Sequence, residues 1–255
     1  MTEAPVPTPP VVAPETLSRG PSFWEMLLYR CCRSIAVGVS MVYFPGTVKG
    51  RENLPARGAC IVAPVHRSYV DWLLVARITG RRRLRYIVKE EVWKSRLIGS
   101  VIEACGGFPV NRSGADREAL RRCQAVLAGG EALVMFPEGT RRSGPVVQEL
   151  KDGVAYLSLR TGAPVIPVGI GGSERAMPRG SRFPRPTRVN IVIGPPVPAH
   201  RHAEADRLEA SSEPGQAAPS RKRASVGRAE TAEQSQRVRA AIQAAFDAAE
   251  ASLRH

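Results

Sequence analysis

Between about Thr47 and Pro195, short apolar blocks alternate with longer stretches whose apolar residues recur at helical spacing. The blocks Ala59–Ala63, Leu84–Val88, Phe108–Val110, Ala132–Phe136, Val165–Gly169 and Val189–Ile193 read as strands. The stretches Val70–Ile78, Ser95–Cys105, Asp116–Leu127 and Val154–Arg160 read as helices between them. That alternation predicts an α/β fold with a mostly parallel sheet flanked by helices. An N-terminal amphipathic helical segment precedes it. Phe23, Trp24, Leu27, Leu28 and Cys31 share one helical face there, with Arg30 and Arg33 elsewhere. The uninterrupted apolar part, Ile35–Phe44, is shorter than the roughly 20 residues a bilayer span takes, so the pattern predicts an interfacial helix in contact with a membrane. Periodicity alone fits a helix packed on the domain equally well.

These patterns divide the chain into five parts. Residues 1–20 read as a disordered leader, because Pro5, Pro7, Pro9, Pro10 and Pro14 exclude regular structure. Residues 21–46 form the amphipathic segment, and residues 47–198 the folded domain. Residues 199–230, rich in Ala, Ser, Glu and Arg, read as a disordered linker. Residues 231–255 read as a C-terminal helix, with Val238, Ile242, Ala245, Phe246 and Ala249 on one stripe that docks on the domain.

Charge sharpens this picture. The 37 Lys and Arg against 23 Asp and Glu give a net charge of +14, which calls for an anionic partner such as a bilayer surface, a phosphorylated small molecule or a nucleic acid. The excess is concentrated: Arg77 to Arg96 holds eight basic residues against two acidic ones, while the last 55 residues hold nine against eight. No nucleic-acid motif accompanies the charge. The five cysteines, Cys31, Cys32, Cys60, Cys105 and Cys123, show no C-x-x-C spacing, which points away from a metal site or a disulfide framework and toward buried free thiols.

Four motifs bear on chemistry. The first, Val65-His66-Arg67-Ser68-Tyr69-Val70-Asp71, follows a strand, where open α/β sheets place their sites. A histidine can take the proton of a hydroxyl nucleophile if a carboxylate holds its ring. Positions five apart lie roughly 140° apart on a helix, so His66 and Asp71 can meet only if His66 sits in the turn and Asp71 in the first helical turn. Ser68 and Asp71 have the spacing of a capping box, which would produce that arrangement and would equally explain Asp71 as a simple cap. The second motif, Gly106 to Arg112, ends a strand on Arg112, a candidate phosphate ligand. The third, Phe136-Pro137-Glu138-Gly139-Thr140-Arg141, follows an apolar strand. Glu138 is suited to substrate hydroxyls, Gly139 to close backbone approach and Arg141 to phosphate. The fourth, Val165-Ile166-Pro167-Val168, carries an internal proline, which by default marks an edge or bulged strand.

Taken in order over about residues 20–198, these motifs resemble those of the glycerophospholipid acyltransferase family, most nearly its 1-acylglycerol-3-phosphate acyltransferases (lysophosphatidic acid acyltransferases). The resemblance implies an O-acyltransferase of phospholipid biosynthesis that makes phosphatidic acid. His66 would be the general base and Asp71 its orienting partner. Arg112, Glu138, Gly139, Thr140, Arg141 and Lys89 would bind substrate, and Pro167 would lie in the acyl-donor region. It implies no metal and no cofactor; the donor would be an acyl thioester on coenzyme A or acyl carrier protein. The partners would be a lysophospholipid or glycerol phosphate acceptor and an anionic membrane surface, with a peripheral or monotopic seat on the cytoplasmic face and no nucleic acid. Two departures stand out. Val65 occupies a position where the family usually has Asn, and Asn111 one where Asp is common. The stretch His66 to Leu74 is closer to acyltransferases of glycerol 3-phosphate or dihydroxyacetone phosphate. The same chemistry on those acceptors or on another lysophospholipid is therefore the alternative. A non-catalytic basic membrane-binding module is the rival from a different class.

Overall fold

The computed structural model describes residues 22–80, 82–89, 96–110, 116–178, 180–199 and 226–254. The leader assigned to residues 1–20 lies outside them, as does most of the linker assigned to 199–230. In chain order the elements are α1 (Phe23–Tyr43), β1 (Val48–Lys49), β2 (Cys60–Pro64), α2 (Asp71–Val75), β3 (Leu84–Lys89), α3 (Arg96–Ala104), β4 (Gly107–Val110), α4 (Asp116–Ala128), β5 (Ala132–Val134), α5 (Gly153–Thr161), β6 (Val165–Gly171), α6 (Ser173–Ala176), β7 (Asn190–Ile193) and α7 (Arg228–Ala251).

The strands form one seven-stranded sheet in the order β1-β7-β6-β2-β5-β3-β4. Every pairing is parallel except β6 with β7. The mostly parallel α/β architecture read from the pattern is therefore present, with one antiparallel step. β2 and β6 lie inside the sheet, and all their side chains are buried, as continuous Val/Ile-rich blocks require when both faces are covered. Ile61, Val62, Leu133, Ile166 and Val168 form the centre of the core.

Besides β1 and α6, which the pattern did not predict, three elements differ from expectation. The expected helix Val70–Ile78 is a five-residue α-helix that tightens into a 3₁₀ turn over Ala76–Ile78. The C-terminal helix begins at Arg228, three residues before the expected start. Pro167 sits in an interior strand, so of the edge-or-bulged default the edge reading does not hold and the bulged one does. It is tolerated because the ladder to β7 is interrupted there: pairing ends at Val168↔Ile193 and resumes only at the isolated Val165↔Val197 bridge. Pro167 accepts from Gly194 N–H at 2.9 Å and is asked to donate nothing.

α7 docks on β6. Side chains at Gly169 and Gly171 would run into the helix backbone at Ala245 and Ala249, so both strand positions lack one. Val238, Ile242 and Phe246 of the helix are buried against the core.

α1 is a single 21-residue helix, capped by Ser22, whose hydroxyl accepts from Glu25 N–H while the Glu25 carboxylate accepts from Ser22 N–H. By length and composition it is apolar enough to cross a membrane, more than the short apolar part suggested. Its amphipathicity is inverted. The side facing the domain is polar: buried Tyr29 accepts from Leu84 N–H, Arg33 donates to Thr79, and Ser40 is buried. The large apolar residues face outward, with Phe23 and Trp24 each 74% exposed and Val42 86% exposed.

Candidate active site

β2 is flanked by β5 and β6, so the loop leaving its C-terminal end lies beside the loop leaving β5. The first loop carries His66 and the second carries the Phe136–Arg141 motif. The two are joined directly: the His66 carbonyl accepts from Arg142 N–H at 2.9 Å, and the His66 ring lies on Phe136 with centroids 4.2 Å apart. Val65 continues the β2–β6 ladder by donating to the Val168 carbonyl and is fully buried, which fits its apolar side chain.

His66 Nδ1 and Asp71 Oδ2 are 2.9 Å apart. The same Asp71 oxygen accepts from Arg67 N–H and Ser68 N–H, each at 2.7 Å, and the residue is fully buried. An oxygen already receiving two amide protons acts as an acceptor, so Nδ1 carries the ring hydrogen and Nε2 carries the free lone pair. Only half of the expected capping box forms. Ser68 N–H does donate to Asp71, but the Ser68 hydroxyl donates to the Met177 carbonyl instead of capping, because Asp71 is itself the first helical residue.

Glu138 is not available to substrate hydroxyls. It is fully buried, and both its oxygens accept from Arg67 Nη1, at 2.9 and 2.6 Å. Burial pushes its carboxyl up, and the Arg67 guanidinium opposes that shift. Arg67 is the residue of this site that pattern reading overlooks. It is itself buried, and its remaining donors reach the carbonyls of His66, Gly144 and Val146. The Phe246 ring lies 5.1 Å from its guanidinium carbon. A signal was present, since a motif glutamate after a buried strand requires a cation to be buried with it.

Arg141 lies over the Tyr69 ring, its guanidinium carbon 3.2 Å from the centroid, and its buried Nη1 has no hydrogen-bond partner among the described residues. Thr140 is exposed beside it. Gly139 adopts a left-handed φ of 68°, and what approaches it is the stem of Lys151: a Cβ at 139 would lie 2.5 Å from Lys151 Cε. Lys151 is thereby laid across the motif turn, a second cation that spacing did not single out. Lys89 ends β3, but its side chain lies outside the described residues, as do Asn111 and Arg112 beyond the end of β4. The Pro167 ring packs on Gly194 beside Ala245, on the strand face that α7 covers. It is thus brought toward the C-terminal helix.

An acyltransferase family model matches residues 46–171. A 1-acyl-sn-glycerol-3-phosphate acyltransferase of Bacillus subtilis is 25% identical over 170 residues, covering 67% of this chain and 82% of its own length. A chloroplastic enzyme of the same name from Brassica napus is 27% identical over 159 residues, and this chain spans about half (46%) of its length. The crystal structure of the 1-acyl-sn-glycerophosphate acyltransferase of Thermotoga maritima superposes with a TM-score of 0.60 at 25% identity, covering 73% of this chain and 75% of that one. With the motifs, the sheet and the paired histidine and aspartate in place, residues 46–171 form a domain of the acyltransferase family, similar within it to the 1-acyl-sn-glycerol-3-phosphate acyltransferases.

Proposed function

We propose that the protein moves a fatty acyl group from an acyl thioester, on coenzyme A or acyl carrier protein, to the free hydroxyl of 1-acylglycerol 3-phosphate, giving phosphatidic acid. The reading is carried by the His66–Asp71 pair, in which Nδ1 is committed to a buried carboxylate and Nε2 is left as a base. The acceptor hydroxyl meets Nε2 and gives up its proton as its oxygen attacks the thioester carbonyl. Asp71 stabilises the imidazolium, which returns the proton to the departing thiolate as the ester forms. Arg141, with an unspent donor, and Lys151 lie on the turn beside His66 and supply charge for the acceptor phosphate. Arg112 and Lys89 would complete that set. The names of the relatives support the choice of acceptor.

The outward apolar face of α1 supports a peripheral or monotopic seat on the membrane, with the site served from the cytoplasmic side, where thioester donors are found.

A labelled acyl thioester offered with lysophosphatidate, glycerol 3-phosphate, dihydroxyacetone phosphate, lysophosphatidylcholine and monoacylglycerol should label phosphatidic acid foremost. Labelling of another acceptor in preference would reassign the substrate and leave the chemistry. His66→Ala should lower kcat by roughly 10²–10⁴-fold with the fold retained. Near-normal turnover would remove the base assignment. Arg141→Ala should raise KM for lysophosphatidate about ten- to hundredfold and leave monoacylglycerol unaffected.

A further inference from the structure

The segment between α6 and β7 has a composition of its own. From Arg175 to Ala199 there are five arginines and no acidic residue. Arg182, Arg185 and Arg188 recur every third residue, and all three are exposed. Pro184 and Pro186 favour extended backbone, in which a three-residue repeat returns each arginine to the same side. Phe183, between the first two arginines, is 78% exposed, the second most exposed large apolar residue described.

The segment is held at both ends. Arg185 N–H donates to the Ala176 carbonyl at 2.7 Å, and Val189 N–H to the Pro45 carbonyl at 2.8 Å. In the middle it touches the end of α1, where the Tyr43 hydroxyl donates to the Pro184 carbonyl at 3.0 Å. That bond sets exposed Phe183 one residue from the contact with the end of α1, where Met41, Val42 and Tyr43 are also exposed. An aromatic side chain with no partner costs hydration that neither fold nor proposed catalysis recovers.

From this juxtaposition we propose that the loop around Ser181–Arg188 is a second membrane contact, in which Phe183 enters the interface and Arg182, Arg185 and Arg188 engage the phosphates of anionic lipids. The proposal rests on the reading of α1 as a membrane-facing helix and extends it from apolar attachment to recognition of headgroup charge. A nucleic acid would meet the arginines equally well, but it offers nothing to Phe183 or to the exposed apolar residues at the end of α1. A bilayer surface satisfies both.

The experiment measures partitioning of the full chain onto vesicles of phosphatidylcholine alone and of phosphatidylcholine mixed with phosphatidylglycerol, with turnover on detergent-dispersed lysophosphatidate run in parallel. Each arginine near an anionic surface contributes about a fivefold gain in partitioning, so the triple variant Arg182→Gln, Arg185→Gln, Arg188→Gln should lose on the order of a hundredfold on mixed vesicles at low salt. It should lose little on phosphatidylcholine alone and keep its detergent turnover. Phe183→Ser should weaken binding to both vesicle types roughly tenfold. A triple variant that partitions like the parent overturns the proposal and leaves acyl transfer untouched. Tight binding of duplex DNA in preference to vesicles, lost in the triple variant, overturns it in favour of a nucleic acid. Absence of lysophosphatidate turnover in the parent counts against the proposed function alone.

Discussion

At the scale of single residues, two buried carboxylates divide the work. Asp71 takes a ring nitrogen and two backbone amides on one oxygen, which fixes the His66 tautomer. Glu138 takes a guanidinium and serves the loops around the site. Removing one member of a buried pair strands the other, at a cost of about 3–5 kcal/mol, whereas replacing both by apolar groups can be nearly neutral. Arg67→Met should therefore lower the thermal midpoint strongly, and Arg67→Met with Glu138→Met should recover much of that loss. An equal loss in the double variant would show that the ion pair is not what Arg67 contributes. The His66–Asp71 contact was legible in the sequence because a histidine and an aspartate five apart must fold through a turn to meet. The Arg67–Glu138 pair was not. Its members stand 71 positions apart, and only the adjacency of β2 and β5 in the sheet brings them together. Gly139 was legible as a glycine that something approaches, but Lys151 as the thing approaching was not, since it depends on the path of the loop back toward α5.

At the scale of elements, α7 reaches the site without touching its chemistry. Gln243 accepts from Val147 N–H at 2.7 Å and donates to the Pro145 carbonyl at 2.9 Å, and Arg239 donates to the Val147 carbonyl. These bonds hold the segment whose Gly144 and Val146 carbonyls receive Arg67. Gln243→Ala gives up these two bonds and an exposed one to Asp247, about 1 kcal/mol each, for a fall in midpoint of a few degrees. If the segment positions Arg67, the variant should also lower kcat well below the midpoint temperature, with KM for lysophosphatidate little changed. A stability loss with kcat intact would confine α7 to a packing role. The apolar stripe of this helix was readable from periodicity, and so was its docking, because a stripe of that width needs a surface. The surface itself became visible only with Gly169 and Gly171 placed under the helix backbone. The strands were read well because buried Val and Ile blocks ended by Gly and Pro leave little choice.

For the whole molecule, the inverted amphipathicity of α1 is the feature on which the proposed membrane seat rests. A helix that turns Tyr29, Arg33 and Ser40 to its own domain and Phe23, Trp24 and Leu28 outward is built for an apolar exterior. Trp24→Glu with Leu28→Glu leaves the domain contacts intact, and should release the protein from phosphatidylcholine vesicles while sparing activity in detergent. Retention on vesicles would place the attachment elsewhere. The helix could be read from its spacing, but not which face the domain would take. That choice was made by partners far along the chain, Thr79 and Leu84.

The docking of α7 has a temporal side. The helix is translated after every strand of the sheet it covers, so β6 waits with its glycine face open and Arg67 without the Phe246 ring above it until residue 251 has cleared the ribosome. Residues 46–171 can be synthesised in full while Pro145 and Val147 still lack their bonds to Gln243 and Arg239. Under the proposed function, acyl transfer is then expected to begin only once α7 has been delivered.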